Sequence, residues 1–214
     1  MLLKKILLTC GILSSLLYMT MNIIAAMRYE GYSSISQVVS ELSAIDAPTR
    51  PLWVWLIMVY SLLVIAFGWG VWQSAAGSRH LRIAGALFMA NAFIGFFWPP
   101  MHQREVLAAG GGNLSDTLHI AFTFVTVPLM MLAIGFAAAA FGKWFRRYSV
   151  ATIVIMIVFG VMTGLQSPQL EANLPTPWIG LWERINIGVY MLWVVVLAVL
   201  LLQKEKAPDA VQVK

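Results

Sequence analysis

Six uninterrupted apolar stretches, at about residues 6–27, 52–73, 82–98, 117–141, 149–166 and 178–202, account for most of this chain. A helix needs about 20 such residues to cross a bilayer. Within lipid only helices and closed barrels satisfy every backbone N–H and C=O, and hydrophobicity here is continuous rather than alternating, which excludes the barrel. The sequence therefore predicts an all-α integral membrane bundle of six transmembrane helices, forming a single domain over residues 1–214. Composition agrees. Hydrophobic residues make up 60% and charged residues only 11%, where a soluble globule carries about a quarter charged.

Lys4 and Lys5 followed by an apolar run to Ala25, Ala26 and Met27 resemble a signal peptide. The run is longer than the usual core of about 7–15 residues, and more spans follow, so it reads as a retained helix. Cys10 is the single cysteine, so no internal disulfide can form.

Basic residues set the orientation. Lys4, Lys5, Arg79, Arg82, Lys143, Arg146, Arg147, Lys204, Lys206 and Lys214 fall on one side of the predicted spans; Arg28, Arg50, Arg104 and Arg184 fall on the other. The positive-inside rule then places both termini in the cytoplasm of a multi-pass cell-membrane protein, for which a bacterial inner membrane is expected. The net charge of +5 follows this topology, and no nucleic-acid partner is expected. The acidic residues Glu30, Glu41, Asp46, Glu105, Asp116, Glu171 and Glu183 gather on the opposite, outer side. Acidic residues contribute little to orientation, so either a working outer face or plain solvation of the loops accounts for them.

No Asp, Glu, Lys, Arg or His falls deep within a predicted span, which argues against an ion-coupled carrier. Asn22, Asn91 and Asn186 are the strongest polar residues there, and such amides usually bond across to other helices. The pairs Gly135/Ala139 and Ala138/Gly142 have the small-xxx-small spacing that lets helices approach closely.

The ionisable groups collect at the outer helix ends. Ile35, Val38, Val39 and Leu42 have helical i, i+3, i+4, i+7 spacing, with Glu41 among the polar residues opposite, so the first outer loop is expected to hold a short amphipathic helix at the interface. After the third span come His102, Arg104 and Glu105, then three glycines and Asn113-Leu114-Ser115-Asp116 leading to His119. Asp116 and His119 are three apart and share a helix face. A carboxylate beside an imidazole can bind metal or orient a base. Asn113 or Ser115 capping the helix, with Asp116 at the positive end of its dipole, explains Asp116 without chemistry. Glu183 and Arg184 open the last span.

At these residues the chain resembles an uncharacterised bacterial family of multi-span membrane proteins called domain of unknown function 998. The resemblance rests on Tyr-x-Gly-Tyr and Ser-Glu-Leu-Ser-Ala between Tyr29 and Ala44, on Ala47-Pro48-Thr49-Arg50, on Phe97 and Pro99, on His119, and on Glu183-Arg184. It implies a compact bundle with these positions on one side, and no reaction, substrate or cofactor. Family members often carry Pro where this chain has Glu30.

Three readings stand at this point. The first is a hydrolase acting on a lipid or amphiphile. His102, Asp116 and His119 would hold a divalent metal such as zinc to activate water, with Glu41 as a further carboxylate; without metal, Ser40 would be the nucleophile and His119 its base. The second is a binding or transport module for a small molecule or lipid headgroup, with Ser40, Arg104, Glu183 and Arg184 at its mouth and the arginines pairing to anions. The third is an accessory subunit of another membrane protein. All three require distant loops to meet over one rim.

Overall fold

The computed structural model describes residues 2–206. Among them all regular structure is helical: α1 (Leu2–Arg28), a 3₁₀ turn (Val39–Ser43), α2 (Arg50–Gln73), α3 (Arg79–Gly95), α4 (Arg104–Ala108), α5 (Leu114–Ala139), α6 (Lys143–Leu165), α7 (Ser167–Glu171) and α8 (Ile179–Lys206). Helices α1, α2, α5, α8 and the continuous Lys143–Glu171 stretch are each long and apolar enough to cross a membrane. Helix α3 has 17 residues and ends at Gly95, three short of the expected end of the third span at Trp98. Helix α6 begins at Lys143, well before the expected residue 149, because the basic turn Lys143–Arg147 is itself helical.

The long helices form a closed ring. Each packs on the next in the order α1, α2, α3, α5, α6, α8, and α8 returns to α1. Apolar residues from all six meet at the centre around Trp193, which is fully buried. Its ring lies 6.3 Å from Phe88 on α3 and 5.6 Å from Phe145 on α6. Its indole N–H donates to Ser149 Oγ at 2.9 Å, satisfying the one polar atom that its burial would otherwise strand.

Close helix approach occurs at a different place from the Gly135/Ala139 and Ala138/Gly142 pairs. A Cβ on Gly85 would sit 2.6 Å from the Gly68 carbonyl oxygen, and one on Gly68 would sit 2.8 Å from that of Gly85. These two glycines let α2 and α3 touch backbone to backbone. Gly135 has nothing within 4 Å of such a position and faces a shallow groove shared with Ala139.

At one end of the ring, Lys4 at the start of α1 pairs with Glu205 at the end of α8 at 3.0 Å. At the other end three connections fold over the helix ends. Residues 29–49, 96–113 and 166–178 share one apolar cluster, in which Val38, Ala44, Ala47, Met101 and Leu170 meet Ile179 at the start of α8, and the N–H of Ile45 donates to the Met101 carbonyl at 2.8 Å. This cap is where the distant loops meet.

The expected amphipathic helix is reduced to the 3₁₀ turn. Val38, Val39 and Leu42 are buried as the spacing predicted, but Ile35 is half exposed, and Glu41, expected on the polar side, is 3% exposed. The cause is competition for carbonyls. Those of Ser34, Ser36, Gln37 and Val38 accept from Arg184, Arg104, Thr176 and Tyr32, and that of Ile35 accepts from the Leu181 N–H. Those acceptors are lost to an α-helical ladder.

Candidate functional site

The cap is organised around buried charge. Glu41 accepts two hydrogen bonds from Arg104, Nε to Oε1 and Nη2 to Oε2, both at 2.8 Å. The side chains are 4% and 12% exposed. Glu41 also accepts from the Val38 N–H at 2.8 Å and from Gln37 Nε2 at 3.1 Å. Hydrogen bonding to Glu41 raises the Arg104 pKa above its ordinary value. Arg104 Nη1 reaches Thr176 Oγ1 at 3.2 Å, and that hydroxyl donates to the Ser36 carbonyl at 2.8 Å. One guanidinium thus ties all three loops together.

Glu183 and Arg184 leave α8 in different directions. Glu183 accepts the Val39 N–H at 2.5 Å, so two carboxylates, Glu41 and Glu183, hold successive amides at the start of the 3₁₀ turn. Arg184 Nη1 donates to the carbonyls of Ser34 at 2.8 Å and Gln37 at 3.0 Å, and Nη2 donates to Tyr32 Oη at 2.6 Å. Burial raises the Tyr32 pKa despite that cationic neighbour, which keeps its hydroxyl protonated and donating to the Val38 carbonyl at 2.9 Å.

Asp116 and His119, expected to act together, have different partners. Asp116 Oδ2 lies 2.9 Å from His102 Nδ1, and Oδ1 accepts the His102 N–H at 2.7 Å. Its carboxylate also accepts the Asn113 N–H, while Asn113 Oδ1 accepts that of Ser115, so the capping reading of this helix start holds. Among the described residues no three His, Cys, Asp or Glu side chains are placed to share a metal ion. His102 and Asp116 meet as a pair; His119 is not joined to them, and Glu41 is occupied by Arg104.

His119, 8% exposed, meets Ser40 instead. Its Nε2 is 3.0 Å from Ser40 Oγ, across 79 residues of sequence. Its Nδ1 is 2.8 Å from the Pro99 carbonyl oxygen and 3.1 Å from Trp98 Nε1. Two partners place opposite demands on Nδ1: the Pro99 carbonyl can only accept and is served by a proton there, whereas the indole N–H can only donate and is served by a lone pair. The indole ring stands perpendicular to the imidazole at 87° and directs its N–H at Nδ1. In the tautomer that serves Pro99, Nε2 carries a lone pair directed at the Ser40 hydroxyl, as a general base needs. Ser40 itself is half-buried.

The sequence carried Ser40, Glu41, Arg104, His119, Glu183 and Arg184 to one rim, and the structure joins them through the residue 29–49 loop. Tyr32, Gln37, Thr176, Trp98 and the Pro99 carbonyl have no part in the site expected from sequence. Tyr32 is the second tyrosine of Tyr-x-Gly-Tyr and could have been found there; Thr176 between two prolines gave no signal.

A family model described as "Protein of unknown function (DUF998)" matches residues 12–200. No curated protein matches, and no solved structure does.

Proposed function

We propose, for a chain that belongs to the DUF998 family, that the cap is an extracytoplasmic site where Ser40 and His119 cleave an acyl ester of a lipid or amphiphile without metal. In this reading α3 supplies a sixth crossing, both termini are cytoplasmic as the basic loops indicate, and the cap sits at the outer surface of the cell membrane.

The observation that carries the reaction is the 3.0 Å contact between Ser40 Oγ and His119 Nε2, with Nδ1 held by the Pro99 carbonyl. A hydroxyl becomes nucleophilic when a base fixed in the right tautomer takes its proton. Ser40 Oγ attacks the ester carbonyl as its proton passes to Nε2. Collapse of the tetrahedral adduct breaks the bond to the alkoxy group, which leaves with the proton from Nε2. Water then attacks acyl-Ser40, giving its proton to Nε2, and the acid departs as that proton returns to Ser40 Oγ. The Pro99 carbonyl takes the orienting place that a carboxylate holds in a three-residue triad.

Labelling of the full chain, reconstituted in nanodiscs, with a fluorophosphonate is the test. Wild type is expected to form an adduct on Ser40, with Ser40→Ala unlabelled and His119→Ala slowed by about 10²–10⁴-fold. An unlabelled but folded wild type, or labelling that survives Ser40→Ala, overturns the reading.

A further inference from the structure

A cleft of about 220 Å³ opens between α1 and α8 just beneath the cap, lined by Met19, Asn22, Ile23, Ser34, Arg184 and Ile187. Its composition is that of an amphiphile: Met19, Ile23 and Ile187 form an apolar wall, while Asn22, Ser34 and Arg184 are polar. Two features of the polar part bear on what the cleft can hold.

Asn22 is 7% exposed. Asn186 on α8 donates to the Met156 carbonyl at 2.8 Å, whereas among the described residues the Asn22 side chain makes no hydrogen bond. This amide opens on the cleft, where a ligand can pair it. Arg184 spends its donors on carbonyls and a tyrosine hydroxyl, and among the described residues no carboxylate lies within ion-pair distance of it. Its neighbour Glu183 turns its carboxylate to the Val39 N–H, so no carboxylate is bonded to this cation at the mouth. Asn22 lies six residues before the end of α1, roughly 9 Å along the helix.

We infer that this cleft binds one anionic membrane lipid, the acidic headgroup against Arg184, an ester carbonyl on the Asn22 amide and one chain along Met19, Ile23 and Ile187. Lipid is favoured over a soluble anion because half of the lining is apolar and the groove lies between two helices that are apolar enough to cross a membrane. The volume is below the roughly 300–1,000 Å³ that encloses a whole drug-sized ligand, so most of the lipid remains in the bilayer. The inference is independent of chemistry at Ser40.

Equilibrium binding to the full chain in detergent, followed by native mass spectrometry, compares phosphatidylglycerol, phosphatidylcholine and inorganic phosphate. Wild type is expected to prefer phosphatidylglycerol at least tenfold over phosphatidylcholine. Asn22→Leu removes the amide, and Ile23→Trp fills the cleft from its exposed wall without touching the cap. Each is expected to lower phosphatidylglycerol binding at least fivefold at unchanged thermal stability. Equal binding of the two lipids overturns the inference, as does unaltered binding in both folded variants. So does competition by phosphate at concentrations similar to the lipid's, which identifies a soluble anion as occupant. Fluorophosphonate labelling of Ser40 is unaffected by any of these outcomes.

Discussion

Glu41 and Arg104 are separated by 63 residues of sequence and meet through two hydrogen bonds of 2.8 Å, almost out of contact with solvent. A bidentate fork of this kind gives direction as well as attraction. Because Arg104 also holds Thr176 and the Ser36 carbonyl, the pair sets the position of the loop that carries Ser40.

Breaking this pair on one side leaves a buried charge alone, which costs about 3–5 kcal/mol. Glu41→Gln and Arg104→Gln are each expected to lower the thermal midpoint strongly in detergent. The double variant is expected to be less unstable than the sum of the two, since it strands no charge. Arg104→Lys should not rescue, because an ammonium cannot reproduce the fork. Additive losses in a double-mutant cycle would show that the ion pair is incidental to the cap.

Ser40 can lose its proton to His119 only while Nε2 is bare. Fluorophosphonate labelling and ester hydrolysis are therefore expected to fall as pH drops and the imidazole becomes a cation that donates from both nitrogens. Heteronuclear NMR of the ring should find the proton on Nδ1 at neutral pH. Trp98→Phe, which keeps the perpendicular packing on the imidazole but removes the indole N–H, is expected to leave that tautomer and the labelling rate within a few-fold of wild type. A proton on Nε2 would instead make His119 a donor to Ser40 and remove the base.

Gly180, in the first turn of α8, lies directly under the first cap loop: a Cβ there would overlap the Gln37 carbonyl oxygen and come within 2.7 Å of that of Ser34. Both carbonyls are acceptors for Arg184. Gly180→Ala should lift the loop and stretch those bonds at a cost of about 1–3 kcal/mol. Limited proteolysis is expected to cut within residues 29–49 while the ring of long helices stays folded, as judged by near-ultraviolet dichroism from buried Trp193. A cap that resists proteolysis as well as wild type would contradict this.

The long helices were legible because burial in lipid imposes a length and a continuous apolar composition, and loops rich in Lys and Arg mark one side. That topology puts Ser40, His119, Glu183 and Arg184 on one face, and their meeting there is a requirement of every reading rather than a consequence of the spacing. What sequence could not supply was direction. Asp116 and His119 share a helix face by spacing, yet one turns to His102 and the other to Ser40, a choice made by the residue 96–103 connection. Glu41 belongs to the polar side of a helical pattern, and that periodicity lost to tertiary donors: Arg104, Arg184, Thr176 and Tyr32 each take a carbonyl an α-helix would have used. Glu30 is a milder case. The Tyr32 N–H donates to the Tyr29 carbonyl at 3.1 Å with Gly31 at φ +77°, the glycine position of a type II turn. Glu30 precedes it, where that turn favours proline, so proline and glutamate both suit this position.

Glycines at helix contacts give the sharpest contrast between spacing and structure. Gly135 has the motif spacing and open space around it, so Gly135→Ala is expected to be neutral or to stabilise by about 0.5–1 kcal/mol through reduced backbone freedom. Gly85 has no such motif partner in its own helix, yet a methyl there would press on the Gly68 carbonyl and on the Trp72 backbone at 2.6 and 2.8 Å. Backbone cannot step aside as a side chain can, so α2 and α3 must separate, undoing the packing of Phe67 on Phe88 at 5.0 Å. Gly85→Ala is expected to cost about 1–3 kcal/mol, read as a lower thermal midpoint alongside Gly135→Ala in the same detergent. Equal midpoints for the two variants would mean that α2 and α3 do not cross this closely in the membrane.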